Sequence, residues 1–179
     1  MSKFIFFYGH KNNDYDYLSN FYITPFKDDN DILYCCVEQY FVKKKQLLFD
    51  HNNDLLGNKI MNSINPFEIK KYGREVNNFN NDIWEKIRYN VMLEGLKYKF
   101  KNNEELKKKL ISTYPKFLVE ASPYDKIWGI GLNKHIAEEL TEKALNENLN
   151  YDYYWQGDNL LGKALMEIRH LLIKKIKEN

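Results

Sequence analysis

Two side chains of opposite charge, Glu38 and Lys45, share one face of a helix that the periodicity predicts over 37–50. The same face carries three apolar residues, Phe41, Val42 and Phe49. A carboxyl group among apolar side chains is desolvated unless it is paired, which raises its pKa and keeps an acid available near neutral pH. Lys45 lies roughly 10 Å further along the face, so both groups can reach a ligand between them. A solvated glutamate in the first helical turn and a lysine whose charge reaches water explain the pattern equally well.

Asp125 is a second candidate carboxyl group. It lies in an irregular segment, 121–132, that contains Pro123 and paired glycines, and Trp128 follows three residues later. Loops held by rigid elements often carry function. An Asx-turn after Pro123 would explain the same residue without any chemistry.

Arginine is rare in this chain, because only three of the 27 basic residues are Arg: Arg74, Arg88 and Arg169. The guanidinium group binds phosphate or carboxylate through two parallel hydrogen bonds. Arg88 and Arg169 lie beside predicted apolar stripes, where a partly buried guanidinium needs an anion. That anion is either a protein carboxylate, such as Glu38 or Glu120, or the phosphate of a ligand.

The last predicted helix, over 160–176, begins with a glycine-rich segment that could bind an anion. Gly157, Asn159 and Gly162 surround its start, and Asn159 is its expected N-cap. Free backbone N–H groups at a helix start bind phosphate readily. Glycines at such positions are more often simple helix-entry residues, so this motif is weak by itself.

The sequence contains no motif typical of a metal site or of a common cofactor-binding site. The four histidines, His10, His51, His135 and His170, are scattered, and no Cys or carboxylate set has ligand spacing. A Walker loop, a dinucleotide fingerprint and a Gly-x-Ser-x-Gly elbow are all missing from the sequence. We therefore expect no metal and no cofactor.

Composition and length indicate one cytosolic domain. The 179 residues include 44% hydrophobic residues and carry a formal net charge of +2, which gives no bulk electrostatic argument for a dedicated nucleic-acid binder. No apolar run is long enough for a signal peptide or a membrane span. Cys35 and Cys36 are adjacent in a predicted strand, so their side chains should point to opposite faces, and they suit a reducing compartment. We expect no membrane association and no obligate protein partner.

The pattern of the elements predicts a helix-dominated α+β fold, a single domain over 1–179 with a small antiparallel sheet. A buried strand is expected over 4–8, a hairpin within 18–36 and a further strand over 117–120. Between and after them we expect helices over 37–50, 54–63, 66–72, 82–100, 103–112, 135–149 and 160–176, the fourth opened by Asp82 and Glu85 in capping-box spacing.

Taken together, the motifs of this chain resemble those of the NADAR family, also called YbiA-like, from about Phe4 to Leu172. The resemblance rests on several separated motifs in the family's order: Leu18-Ser19-Asn20-Phe21, Glu38-Gln39-Tyr40-Phe41 with Lys45, Gly73-Arg74, Trp84 with Arg88, Leu118-Val119-Glu120-Ala121-Ser122-Pro123, Asp125, Trp128-Gly129-Ile130-Gly131 and Trp155-Gln156-Gly157-Asp158-Asn159-Leu160-Leu161-Gly162. One departure is the stretch 133–154, which is longer than in shorter members and puts substrate choice in doubt.

The resemblance implies catalytic roles for Glu38, Trp84 and Asp125. It also implies that Lys45 attacks the opened ribose as a Schiff-base nucleophile, although Lys43 and Lys44 adjoin it. We expect the substrate to be bound by Asn20, Phe21, Arg74, Arg88, Trp128, Gly129, Gly157, Asn159 and Arg169.

The function that this resemblance implies is hydrolysis of the N-glycosidic bond of a phosphorylated ribosyl substrate. Two substrate classes follow from the family: ribosylaminopyrimidine phosphates of the riboflavin pathway, and ADP-ribose attached to guanine in nucleic acid. Two other readings remain open. The chain could bind ADP-ribose or a nucleotide without hydrolysis, or the same groups could form a buried ion-pair network in an interaction domain.

Overall fold

The computed structural model describes residues 3–10 and 14–178. These residues form seven α-helices, one short 3-10 helix (Asp16–Leu18) and four short strands, which confirms the helix-dominated α+β fold. They group into two compact units. Unit 1 is drawn from Met1–Ser19 and Lys109–Asn179, and unit 2 is Asn20–Lys108. The single domain over 1–179 stays a prediction, because compact grouping does not by itself define an independently folding unit.

Unit 1 is organised around a parallel pair of strands. Strand β1 (Phe4–Phe7) pairs with β4 (Phe117–Glu120), with Phe4 opposite Phe117 and Phe7 opposite Glu120. The antiparallel prediction does not describe this pair, because parallel strands need a long crossover connection and here all of unit 2 intervenes in sequence. Helix α6 (Lys134–Asn146) packs against β1, and α7 (Leu160–Glu178) packs against β4.

The stretch 133–154, which contains α6, is an integral part of unit 1. Tyr151 contacts the rings of Phe4, Phe117 and Trp155, with centroid distances between 5.0 and 5.5 Å. The indole N–H of Trp155 donates to the Thr141 hydroxyl at 3.0 Å. The apolar core beneath this aromatic layer contains Phe6, Val119, Ala121, Ile130, Leu132 and Ala137.

Unit 2 begins with the predicted hairpin. Strands β2 (Phe26–Lys27) and β3 (Leu33–Tyr34) pair antiparallel. Asp28 closes the connection, because its Oδ1 accepts hydrogen bonds from the backbone N–H groups of Asn30 and Ile32. The small antiparallel sheet is therefore confirmed for this part of the chain.

Helix α1 (Val37–Phe49) is the centre of unit 2 and contacts three other helices of that unit. These are α2 (Asp54–Asn62), α3 (Pro66–Tyr72) and α4 (Asn81–Asn102), and α5 (Glu104–Ser112) follows in sequence. Val42 of α1 belongs to an apolar cluster with Cys36, Leu56, Ile60, Ile69 and Val76. This burial fixes which face of α1 points outward.

Asparagine caps begin five of the helices in the described residues, because the Asn side chain accepts a hydrogen bond from a free N–H group of the first turn. The capping residues are Asn53, Asn65, Asn80, Asn103 and Asn133. The predicted capping box at Asp82 is wrong. The helix α4 starts one residue earlier than expected, so Asn80 accepts from the Ile83 N–H at 3.0 Å and Asp82 lies inside the first turn.

The prediction for Cys35 and Cys36 is also wrong. They follow β3 in a bend that leads into α1, and therefore do not alternate as strand residues do. Their Sγ atoms lie 3.7 Å apart, and both cysteines are free.

Asn159 precedes α7 as expected, but its side chain does not cap that helix. Its backbone has φ 52°, and its side chain is directed at β4. Asn159 Oδ1 accepts from the Glu120 N–H and Nδ2 donates to the Leu118 carbonyl, both at 3.0 Å. A buried side-chain amide thus completes the hydrogen bonding of the strand from the side of α7.

Removing this amide should destabilise the fold. In Asn159→Gly, the glycine tolerates the positive φ while Glu120 N–H and Leu118 C=O lose their partners, so we expect a loss of about 2–4 kcal/mol in the free energy of unfolding. Urea denaturation measures it. Asp158→Gly, at the exposed neighbouring position, is the control for the added glycine, and equal losses in both variants would refute the role of the amide.

Candidate active site

One face of α1 brings the first two candidate residues into one environment. Glu38 is buried, with 8% of its surface exposed, and its backbone N–H donates to the Asn20 carbonyl at 3.1 Å. Lys45 lies two turns later and is half-buried. Both lie beside the residues that anchor α1 in the core, so the carboxyl group and the amine are held by a rigid helix.

Lys45 is positioned by a carbonyl and an aromatic ring. Its Nζ donates to the Gly73 carbonyl at 2.7 Å and lies 4.0 Å from the centre of the Phe79 ring. Burial lowers the pKa of the Lys45 amine, and the negative charge of Glu38 partly opposes that shift. A lowered pKa leaves more free amine at neutral pH than an exposed lysine has, which a nucleophile requires.

The neighbouring lysines point to other surroundings, as the helix geometry predicts. Lys43 Nζ donates to Gln46 Oε1 at 2.7 Å, and Lys44 Nζ lies 3.9 Å from Asp28 Oδ2. Burial also lowers the pKa of Lys43. A lowered pKa therefore does not single out Lys45, whereas its place beside Glu38 and the aromatic residues of α1 does.

Trp84 forms an aromatic wall with two residues of α1. Its ring centre lies 4.9 Å from that of Phe41 and 6.3 Å from that of Phe49, and Phe49 contacts Phe79 at 5.3 Å. Trp84 is 6% exposed, so most of the indole is packed against protein. The four rings line the face of α1 on which Glu38 and Lys45 lie.

Two of the three arginines belong to unit 2. Arg88 lies one turn after Trp84 on α4. Its Nη1 is 3.8 Å from Glu85 Oε1, so its ion-pair partner is this surface carboxylate and not Glu38. Arg74 is exposed and directly follows Gly73, whose carbonyl accepts from Lys45. Both guanidinium groups remain predicted phosphate ligands.

Asn20 and Phe21 lie at the start of unit 2. Asn20 is 8% exposed, and its Oδ1 accepts no hydrogen bond from residues 3–10 and 14–178. A buried acceptor without a donor costs about 1–3 kcal/mol, so a donor from a bound ligand would be favourable there. Phe21 meets Phe67 edge to face at 5.1 Å, and Lys70 Nζ lies 5.7 Å from the centre of its ring.

In unit 1, Asp125 forms the Asx-turn that its sequence context allows. Its Oδ1 accepts from the N–H groups of Ile127 and Trp128, at 2.9 and 2.8 Å. The segment 125–131 folds back on itself, because Gly131 N–H donates to the Asp125 carbonyl. A structural role of Asp125 is thus observed, and its catalytic role stays a prediction.

The start of α7 is not a free anion site. The N–H groups of Asp158, Asn159, Leu160 and Leu161 donate to the carbonyls of residues 126–129. The expectation of free N–H groups is therefore wrong for these four residues. The glycines permit this docking, because a Cβ on Gly157 would lie 2.5 Å from the Gly129 carbonyl oxygen.

Arg169 is buried by contacts within unit 1. Its Nη1 donates to the Thr113 hydroxyl at 2.7 Å and to the Lys116 carbonyl at 2.8 Å. Burial lowers its pKa. These neutral oxygens account for its position without a phosphate, and substrate binding by Arg169 stays a prediction.

A cavity of about 140 Å³ lies within unit 1 between β4 and α7. Its lining includes Trp155, Gly157, Asn159 and Lys163. Small-molecule sites commonly measure about 300–1,000 Å³, so this cavity can hold only part of a nucleotide-sized ligand.

Among the residues that the structure describes, no three His, Cys, Asp or Glu side chains cluster as a metal site would require. In that part of the chain, no helix combines the length and the apolar character needed to cross a bilayer. His135 pairs with Glu139 at 3.9 Å on an exposed face of α6.

The fold places the chain in a class with a known structure. The NMR structure of Escherichia coli YbiA superposes with a TM-score of 0.76 at 28% identity, covering 100% of this chain and 90% of YbiA. The family profile of the NADAR domain matches residues 6–173. The chain belongs to the NADAR domain family.

Relatives within this similarity are named for their activity. N-glycosidase R617 of Acanthamoeba polyphaga mimivirus is 38% identical over 174 residues, which is 93% of this chain and 95% of R617. N-glycosidase YbiA of Escherichia coli (strain K12) is 29% identical, over 89% of this chain and 83% of YbiA. The Arabidopsis thaliana riboflavin biosynthesis protein PYRR is 37% identical over 86 residues, which is 48% of this chain and 11% of PYRR. The predicted class, a hydrolase of N-glycosyl bonds, is thereby confirmed for the family.

Two groups that hold Lys45 are not indicated by any sequence motif. Phe79 lies in an asparagine-rich loop that gives no periodic signal, although a single aromatic residue among four asparagines is itself unusual. The Gly73 carbonyl is a backbone group, and no side-chain motif reports it. Both are contributed by segments distant from Lys45 in sequence.

The packing of Trp84 predicts a large stability effect. Trp84→Ala removes the indole from the wall that Phe41 and Phe49 form, so we expect a loss of about 3–5 kcal/mol in the free energy of unfolding. Trp84→Phe keeps an aromatic ring and should lose well under half of that. Urea denaturation of both variants decides it, and an unchanged midpoint in Trp84→Ala would contradict the packing described here.

Proposed function

We propose that this chain is a cytosolic N-glycosidase that cleaves the bond between a base nitrogen and a phosphorylated ribose. The observation that carries the proposal is the face of α1 on which Glu38, Lys45 and the Trp84 wall lie within one unit. Family membership and the activity named for R617 and YbiA support the same reaction. The proposal does not depend on Asp125, whose role rests on the resemblance alone.

The chemistry of the bond explains why these residue types suit it. Cleavage builds positive charge on C1′ of the ribose and negative charge on the departing nitrogen. Glu38 supplies a carboxyl group that can transfer a proton or stabilise the sugar cation. The aromatic wall offers a surface for the planar base at Phe79, its exposed ring, since offset stacking of rings is favourable.

Lys45 supports a covalent route. Its free amine would attack C1′, the C1′–N bond would break with protonation of the base, and the opened ribose would be held as an imine until water releases it. The Gly73 carbonyl and the Phe79 ring keep the amine in place before substrate arrives. The runner-up is direct attack by water activated by a carboxylate.

Recognition of the ribose and the phosphate would use other groups of unit 2. The backbone carbonyl of Asn20 accepts from the Glu38 N–H, and the buried Oδ1 of the same residue suits a ribose hydroxyl as its donor. Arg74 and Arg88 would bind phosphate. Similarity to PYRR favours a ribosylaminopyrimidine phosphate, whereas ADP-ribosyl-guanine remains the alternative substrate.

The direct test of function is incubation of the protein with each of the two substrates. Release of free base, followed by chromatography, identifies the substrate that is cleaved. Binding of either substrate without release of base would instead favour a non-catalytic binding module.

Glu38→Gln should fold and lose at least about tenfold in kcat, because the amide keeps the shape of the side chain and cannot transfer the proton. Glu75→Gln, at an exposed carboxyl group of the same unit, is the matched control and should retain activity. Base release under saturating substrate measures kcat. Turnover of Glu38→Gln at the level of the control would exclude a catalytic carboxyl group at this position.

Lys45 should form a covalent adduct with the sugar. Borohydride added during turnover should reduce the imine, and peptide mass spectrometry should find the sugar on Lys45 in the native protein and in Lys43→Arg and Lys44→Arg. Lys45→Arg should give no adduct, since a guanidinium does not form the imine. An adduct on Lys43 or Lys44, or full activity in Lys45→Arg, would reject the covalent route.

The pH dependence has a defined sign. Below the lowered pKa of Lys45 the amine carries a proton and cannot attack, so activity should rise as pH increases through that pKa, which lies below the ordinary value of 10.5. The measurement is kcat/KM against pH for the native protein. A profile that falls over the same range would contradict a free-amine nucleophile.

A further inference from the structure

The proposed reaction makes no use of the two adjacent thiols at the entrance to α1. Cys35 is half-buried and Cys36 is completely buried, and their Sγ atoms are 3.7 Å apart. They are the only cysteines of the chain. A pair of thiols at this separation, with one accessible member, can react together.

The surroundings make the two thiols chemically unequal. The hydrogen bond between them lowers the pKa of Cys35, while the same hydrogen bond and burial raise the pKa of Cys36. The Cys35 Sγ also contacts the Ser63 carbonyl oxygen, at 3.8 Å. The accessible thiol is therefore the one that ionises, and the thiolate is the form that attacks electrophiles.

We propose that Cys35 and Cys36 form an oxidation site for hydroperoxides, at which a reversible disulfide closes between neighbouring residues. In the first step the Cys35 thiolate attacks an oxygen of hydrogen peroxide; an S–O bond forms, the O–O bond breaks, and hydroxide leaves to become water. In the second step the Cys36 sulfur attacks Cys35 Sγ; the S–S bond forms, the S–O bond of the sulfenic acid breaks, and the departing hydroxide takes the Cys36 proton and leaves as a second water. Two thiols are oxidised by two electrons, and one peroxide is reduced to two waters.

The disulfide would be strained and would disturb the start of α1. Adjacent Cα atoms are about 3.8 Å apart, below the usual range of about 4.4–6.8 Å for disulfides, and such strain favours reduction. The Cys35 carbonyl accepts from Thr24 N–H at 3.0 Å, and Cys35 N–H donates to Gln39 Oε1 at 2.6 Å. Closing the ring turns the peptide group between the cysteines, which carries the Cys35 carbonyl, and so strains its bond to Thr24. The accompanying rotation at Cys35 also disturbs the bond of its N–H group, in the preceding peptide group, to Gln39.

Gln39 connects the first turn of α1 to the end of α2. Its Nε2 donates to the carbonyls of Ile60, Met61 and Ser63, at 2.9, 3.1 and 3.0 Å, so it joins the Cys35 bend to the end of α2. Glu38 lies between Cys36 and Gln39 in the chain. Oxidation should therefore displace the carboxyl group and lower the glycosidase activity, a consequence that rests on the proposed function.

The oxidation itself is tested without reference to activity. The native protein is treated with hydrogen peroxide, quenched with catalase and unfolded for thiol titration and intact mass spectrometry. We expect the titrated thiols to fall from two to zero, a monomer mass lower by about 2 Da, and return of both thiols with dithiothreitol. Two unreacted thiols, a sulfinic acid or a disulfide-linked dimer would each overturn the proposal.

Single variants separate the two steps. Cys36→Ser should stop at a Cys35 sulfenic acid that dimedone traps, whereas Cys35→Ser should leave the buried Cys36 thiol unreacted under the same treatment. Trapping in Cys35→Ser instead would overturn the assignment of the attacking thiol. Base release is then measured before and after peroxide treatment. We expect a loss of activity that dithiothreitol restores. Unchanged activity of a fully oxidised protein would overturn the coupling to Glu38, while the thiol count would still support the disulfide.

Discussion

The site depends on an amine that the fold partly removes from water. Helix α1 is held by the apolar cluster around Val42, and this packing leaves the half-buried Lys45 over the Phe79 ring. Desolvation of the ammonium is unfavourable, and the Gly73 carbonyl and the Phe79 ring offset only part of it. The protein therefore tolerates an unfavourable group, which is common where reactivity is required.

The sequence predicts the elements well and the details of contact poorly. The helix of Glu38 and Lys45 is predictable because its apolar residues recur with the helical period, which is a signal within one short stretch of sequence. The parallel pairing of β1 with β4 has no local signal, because its two strands are far apart in the chain. Asn159 shows the same limit: its position before α7 was predictable, whereas its use by the β4 backbone depends on tertiary packing.

The same distinction between local and tertiary signals applies to the site residues. The separation of Lys45 from its two lysine neighbours follows from helix geometry and agrees with their observed partners. The environment of Arg169 could not be read from its apolar stripe, since the stripe indicates burial and not which oxygens meet the guanidinium. At the start of α7 the sequence indicates either an anion site or simple helix-entry glycines, whereas in the structure the N–H groups donate to backbone carbonyls and Gly157 allows their close approach.

The split of unit 1 between the two ends of the chain has a consequence for synthesis on the ribosome. Strand β1 is made first, yet its partner β4 follows only after the whole of unit 2. Unit 2 is continuous in sequence, so its helices can collapse while β1 is still unpaired. Long-range pairing of this kind slows folding, because the entropy of closing a large loop is lost before the contacts between the strands contribute any stabilising free energy. During that interval the apolar Phe4–Phe7 run is available to chaperones, or to other nascent chains.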